Sequence, residues 1–412
     1  MNETLRQALS TLRIVNAGAL FNAACGTAEG LLRVAAPRAL PASLDIILTK
    51  ACNLRCIFCI SYAPLADRHW MDIGLYRNIA RQLFPTALGV YFCSGGEPLL
   101  YPHVREALQL CRTHRTRATM TSNGMLLDRN VADWMVADQS LTELCISFDG
   151  ATKSTLERIR RGARYETILD NLHYLSDCKQ RQHSPYPWLW FRFAIMRSNA
   201  HELPDMFRLC REYGLSKVEV KYLNVANEMD ADESLLNHPQ LAQEVFAAAQ
   251  AKAREYGIAL ALPPLPAHRH VPHRCLRPWQ FCQIDTDGSV RICYYCWRQR
   301  LGFVDDDFTA VWRNDHYQKI RRSIDSDAPY YPFCKFCPVR RGPGDPSAYD
   351  QNQHQDAYCI PGLESLQSHF NRRSEENVAS LREIKTTNRA ADSQEHSAEA
   401  AIPPLARQDK NG

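Results

Sequence analysis

The chain has 412 residues, 45% of them hydrophobic and 23% charged, with a formal charge of +4. That is the balance of an ordinary globular protein with room for two domains, and so small a charge implies no nucleic-acid partner. Sixteen cysteines are the anomaly; no signal peptide precedes them, so reduced cytoplasmic thiols available to metal are expected rather than disulfides.

In chain order, residues 1–41 read as a helical N-terminal extension. Leu5, Leu9 and Leu12 fall at helical spacing, and Pro37 and Pro41 break the pattern. Its least polar stretch, Ile14 to Ala28, is interrupted by Asn16 and Asn22 and is too short to span a bilayer, so no membrane span is expected. A capping helix is the expected role. From 42 to 261 short apolar runs alternate with longer amphipathic ones. Strands are expected at Leu44–Leu48, Val90–Phe92, Ala118–Met120, Leu144–Ile146, Leu189–Ile195 and Val218–Val220. Helices are expected at Asp72–Leu83, Pro102–Thr113, Asp128–Val136, Tyr165–Asp177, Leu203–Tyr213 and Gln240–Tyr256. Strand–helix units in series argue for an α/β protein with a parallel sheet, open or rolled into a barrel.

The unusual residues follow those strands. Cys52, Cys56 and Cys59, spaced C-x-x-x-C-x-x-C, come after the first, and such a loop can point three sulfurs at one centre. An iron–sulfur cubane normally takes four thiolates, so three leave one iron open to a small molecule; a zinc site or a run of buried thiols is the alternative. Gly95-Gly96-Glu97-Pro98 follows the second strand, Ser122-Asn123-Gly124 the third, and Ser147-Phe148-Asp149-Gly150 ends the fourth. In a parallel barrel these positions share the C-terminal face, where such folds place their active sites.

The three-cysteine loop, with Phe58 before its last cysteine, and the glycine-rich elements after it resemble the radical S-adenosylmethionine (SAM) family over roughly Ser43 to Val225. The resemblance implies a partial (β/α)6 TIM-like barrel in residues 42–261. It also implies that Cys52, Cys56 and Cys59 hold three irons of a [4Fe–4S] cluster whose fourth iron takes the amino and carboxylate groups of SAM. Gly95-Gly96-Glu97-Pro98 looks like the family's GGEP element, with Glu97 on the SAM ammonium and glycines admitting close backbone approach. By itself it would serve as a strand-to-helix turn, with Pro98 near a helix start. Ser122 and Asn123 look like the element beside the nucleoside, and Ser147 and Asp149 like a strand end reaching the ribose or methionyl carboxylate. Arg160 matches the arginine expected beyond, which would pair with that carboxylate, or it belongs to a solvated charge run.

A proline-rich linker, Leu262 to Pro266, precedes His268, His270 and His273, which could bind metal. Residues 262–361 then resemble the SPASM/twitch extension of radical SAM enzymes, a small iron–sulfur domain. Cys275 precedes Pro278-Trp279, a hairpin turns at Asp287-Gly288, Cys293 sits on its exit strand, and Cys334-Lys335-Phe336-Cys337 closes the set. The resemblance implies that Cys275, Cys293, Cys334 and Cys337 ligate one auxiliary [4Fe–4S] cluster, with Cys296 competing for the place of Cys293 and structural zinc as another occupant. Pro343 stands where a two-cluster version would need a further cysteine, which argues for one cluster. Cys282 and Cys359 are spare, and residues 362–412 read as a disordered tail.

The resemblance implies an enzyme that cleaves SAM reductively to a 5′-deoxyadenosyl radical and takes a hydrogen atom from substrate. An electron donor such as flavodoxin or ferredoxin would supply the electron. With no peptide-recognition domain apparent near the N-terminus, the sequence favours oxidation or epimerisation of a small polar metabolite of aminocyclitol or sugar type. Modification of a ribosomally made peptide is the alternative, and an iron–sulfur electron carrier the non-enzyme one.

Overall fold

A computed structural model of the chain describes residues 14–59, 69–223, 225, 230–266, 274–296, 299–305, 307–337 and 340. Leu5, Leu9, Leu12, the three histidines of the linker, Pro343, Cys359 and the tail lie outside the described residues, as does the side chain of Cys296. All described residues fall within the compact unit Met1–Glu364.

Helix α1 (Ala17–Leu31) begins at Asn16, whose side chain accepts from the Ala19 N–H. Strand β1 (Ser43–Ile46) follows, then α2 (Ile73–Leu83), β2 (Gly89–Phe92), α3 (Val104–Thr113), β3 (Arg117–Ser122), α4 (Arg129–Asp138) and β4 (Glu143–Ser147). Helices α5 (Lys153–Ile159) and α6 (Tyr165–Arg181) lead to β5 (Trp188–Ile195), α7 (Met206–Tyr213), β6 (Lys217–Tyr222), α8 (Pro239–Tyr256) and β7 (Ala259–Ala261). Asp72, Asp128 and Thr152 cap the starts of α2, α4 and α5 with side-chain oxygens, satisfying N–H groups that the helix itself leaves open. The strands β1 to β7 pair in parallel in chain order. Their central residues, among them Leu44, Val90, Met120, Leu144 and Phe191, are buried, as a sheet covered on both faces requires.

The sequence expectations for six strands and six helices all have counterparts here, with ends differing by a few residues. Helix α5 and strand β7 were not expected; both are short, and neither carries enough residues to display a period.

The auxiliary segment is built onto the same sheet. Helix α9 (Arg277–Gln280) leads into β8 (Phe281–Ile284), which pairs parallel with β1 and antiparallel with β9 (Val290–Arg291). The Asp287-Gly288 turn is the expected hairpin, with Gly288 at φ +82°, where a side chain would be strained. Helices α10 (Phe308–Trp312) and α11 (Asp315–Ser323) complete it. Trp279 and Trp312, both fully buried, donate their indole N–H groups to Val34 O at 2.7 Å and Ala39 O at 2.9 Å. Gln280 reaches Thr27 Oγ1 at 2.8 Å, so the segment after α1, together with α1 itself, binds the auxiliary domain to the barrel. Among the described residues no helix is long and apolar enough to cross a membrane.

Candidate functional site

The three-cysteine loop leaves the C-terminal end of β1 and is fastened on three sides by elements from later strand ends. The Gly96 N–H donates to Thr49 O and the Glu97 N–H to Ala51 O, both at 2.8 Å. A Cβ on Gly96 would lie 1.9 Å from Ala51 O. Within the chain, the close approach that this glycine permits is to the cysteine loop. Farther along, Arg55 and Cys56 form a two-residue antiparallel ladder with Arg160 and Arg161, and the Ile57 N–H donates to Ile159 O at 3.0 Å.

Donors are aimed at the sulfurs. Leu54 N lies 3.4 Å and Asn123 Nδ2 4.0 Å from Cys52 Sγ, and Arg160 Nη1 lies 3.6 Å from Cys56 Sγ. Burial pushes the Cys56 thiol up to about 11, against the pull of Arg160, and raises that of Cys52 as well. Half-buried thiols faced by N–H donors suit a metal-bound sulfur, because hydrogen bonds to cluster sulfurs tune the cluster. Asn123, expected beside the nucleoside, is thus placed on the cysteine side, with its Nδ2 2.8 Å from Asn53 Oδ1.

Glu97 is buried and caps a short 3-10 turn, Pro98–Leu100. Its Oε1 accepts from Ser122 Oγ at 2.8 Å and Leu99 N at 3.2 Å, and its Oε2 accepts from Asn123 N at 2.8 Å. The carboxylate that the resemblance would give to the SAM ammonium is thus shared with three donors of the chain, leaving Oε2 one further lone pair. Glu97→Gln would turn one of these acceptors into a donor facing a donor. Loss of a charge-assisted bond of about 1.5–3 kcal/mol is expected to weaken SAM binding about tenfold and to lower the unfolding midpoint. Calorimetric titration of SAM into the cluster-loaded variant checks the first effect; wild-type affinity would refute it.

Asp149 and Arg160 form a buried pair, Oδ2 to Nη2 at 2.6 Å, with Asp149 Oδ1 accepting from Ala194 N at 2.7 Å. The Arg160 guanidinium also lies over the Phe58 ring, 5.6 Å from its centroid. The structure therefore gives Arg160 a partner within the chain, not the solvated surface that a charge run would have, and Asp149 faces Arg160 and β5. Ser147 ends β4, half-buried, opposite Arg192 of β5.

A cavity of about 560 Å³ opens at this end of the sheet. Phe58, Cys59 and Gly95 line it from the barrel loops, Lys221 to Leu223 from the end of β6, and Gln283, Asp285, Arg291 and Tyr294 from the auxiliary hairpin. Cys275, Cys293, Cys334 and Cys337 line a second, small and apolar cavity with Arg277, Pro278, Ile292, Ile324 and Arg340. The structure thus brings together all four cysteines of the second set. Among the described residues no three His, Cys, Asp or Glu side chains converge as ligands of a single ion would; cubane ligands attach to separate corners. Tyr294, next to Cys293 in sequence, faces the larger cavity, packs at a tilt against Phe281 and lies under Arg277.

Comparison with known proteins matches these two regions. A family model described as the Radical SAM superfamily fits residues 46–210, and one described as an iron–sulfur cluster-binding domain, SPASM, fits residues 275–338. The chain is 24% identical over 260 residues to the PqqA peptide cyclase of Gluconobacter oxydans, covering 62% of this chain and 70% of that one. It is 24% identical over 285 residues to the mycofactocin maturase MftC of Mycobacterium ulcerans, covering 66% and 75%. The crystal structure of Streptococcus suis SuiB superposes with a TM-score of 0.54 at 16% identity, covering 69% of this chain and 68% of SuiB, which speaks to fold.

Proposed function

The chain belongs to the radical SAM superfamily, with a SPASM domain after its barrel, and on that premise we propose that it modifies a ribosomally made peptide. The observation that carries this reading is the pair of relatives matched over more than 60% of the chain, one a peptide cyclase and one a maturase by name. A cavity of about 560 Å³ with walls from both domains is of a size to enclose a substrate group beside a cofactor, whether a peptide or a small molecule carries that group. Oxidation of a small polar metabolite, which the sequence by itself favours, has no such support from the relatives named above.

SAM and the [4Fe–4S] cluster, when bound, supply a 5′-deoxyadenosyl radical that takes a hydrogen atom from the substrate. The chain's own residues do the rest. Cys52, Cys56 and Cys59 would hold the cluster, and because Cys59 and Gly95 border the cavity, a substrate bound there would lie beside it. Ser122, Asn123 and Glu97 fix the loop edges against which SAM would lie. Phe58 and Tyr222 on the barrel side and Tyr294 on the other enclose the space and exclude water. Cys275, Cys293, Cys334 and Cys337 would hold the auxiliary cluster, separated from the substrate by Arg277 and Tyr294.

Two measurements test this. Anaerobically reconstituted protein is expected to hold about eight irons per chain, as two cubanes imply; about twelve would mean a further cluster, and about four with one zinc a structural ion in the second site. Short peptides encoded beside the gene, deuterated at every carbon, are then incubated with reduced protein and SAM. Deuterium recovered in 5′-deoxyadenosine supports the peptide reading. Transfer from a deuterated extract of small metabolites, with none from peptides, would replace it.

A further inference from the structure

The larger cavity carries more positive charge than its own residues neutralise. Lys50 Nζ, from the loop before Cys52, lies 3.0 Å from Asp285 Oδ2, and Arg291 of β9 reaches the same oxygen. Asp285 is fully buried, and its other oxygen accepts from Thr286 N at 2.7 Å. Burial would push its carboxyl up, yet Arg291 and Lys50 outweigh that and hold it well below the usual carboxylate range. Asp285 and Arg291 make a buried pair that is neutral by itself, and Lys50, 35% exposed, adds one positive charge at the cavity wall. Lys221, on the facing side, shares Glu219 with Arg192, so that group also ends with one cation in excess, exposed and screened by solvent.

Asp285 is the only carboxylate among the described residues lining the cavity, so no further side chain there balances that charge. Arg291 gives Nη1 to Gln283 Oε1 at 3.3 Å and Nη2 to Asp285, while its buried Nε–H has no partner among the described residues. An unsatisfied buried donor on a cation is costly unless something occupies it. One net positive charge on the wall matches a monoanion, which a carboxylate is and a phosphate dianion is not.

We propose that the cavity selects a substrate that carries a carboxylate, received by Lys50 and Arg291 with Lys221 steering it in. The charge argument stands on the cavity alone; the source of the carboxylate, an Asp or Glu side chain of a peptide, rests on the function proposed above.

The test uses cluster-loaded protein with SAM and a pooled library of ten-residue peptides, each member made once with Glu and once with Gln at one central position. Peptides retained by the protein are counted by mass spectrometry, and butyrate and butyramide are titrated separately by calorimetry. Glu members are expected to be enriched at least tenfold over their Gln partners, and butyrate to bind at least tenfold more tightly than butyramide. Lys50→Met and Arg291→Gln are each expected to bring the ratio near one. Peptides retained without a Glu preference would overturn the carboxylate site and leave the peptide reading in place. A butyrate preference with no peptide retained would keep the site and remove the peptide reading. No preference in either arm overturns the site, as does a preference that survives both substitutions. The wild-type ratios decide even if a variant fails to fold.

Discussion

Replacing Cys52, Cys56 and Cys59 together with alanine is expected to abolish 5′-deoxyadenosine formation and leave about half of the iron, roughly four atoms per chain, in place. The structure gives the reason why the loss should be chemical and not a collapse of the fold. The loop is held by backbone bonds, Gly96 and Glu97 to Thr49 and Ala51 on one side and the Arg55–Cys56 ladder to Arg160–Arg161 on the other, none of which needs a thiol. The four cysteines of the auxiliary set line a separate cavity, so their iron should survive. Anaerobic reconstitution, iron assay and chromatography of the reduced reaction measure both quantities. Unchanged SAM cleavage in the triple variant would remove the three-cysteine loop from the chemistry, and loss of all iron would mean that the two sites are not independent.

The strands and the loops that follow them were legible because parallel sheets write themselves locally. Each strand is a short apolar run, and Cys52, Gly95, Ser122 and Ser147 each come within a few residues of its C-terminal end. The hairpin at Asp287-Gly288 was legible for the same reason, since one dipeptide specifies the turn. What escaped is what depends on partners far away in sequence. Strand β8 lies against β1 in parallel, tied by Gln283 Nε2 to Asp45 Oδ2 at 2.8 Å across 238 positions, and no period announces such an edge. Lys50, Asp285 and Arg291 look in the sequence like a loop residue and two hairpin residues. Only the pairing of β8 with β1 brings them onto one cavity wall. The same holds for Glu97 and Asn123, whose partners Ser122 and Asn53 lie 25 and 70 positions away.

Arg160 is expected to be the costliest single position to lose outside the cysteines. Asp149 is fully buried and the Arg160 side chain is 10% exposed, so Arg160→Met would strand a carboxylate in a dry interior. Breaking a buried pair from one side costs about 3–5 kcal/mol, and the same change removes the donor beside Cys56 and the cation over Phe58. Adding Asp149→Asn should recover part of the loss. The asparagine oxygen still accepts from Ala194 N, and no buried charge remains. The sign of the pH dependence follows from the same contacts. Burial already raises the Asp149 carboxyl above its ordinary value, and Arg160 and the Ala194 N–H oppose it; without Arg160 the burial is opposed by that one hydrogen bond alone and raises it further. The native variant then holds a proton that the unfolded chain has released, so its stability falls as pH rises, and the defect should be smaller at about pH 5 than at about pH 8. Anaerobic urea unfolding of the single and double variants at both pH values measures this. A defect independent of pH, or a double variant no more stable than Arg160→Met, would mean that Arg160 acts through packing and not through its charge on Asp149.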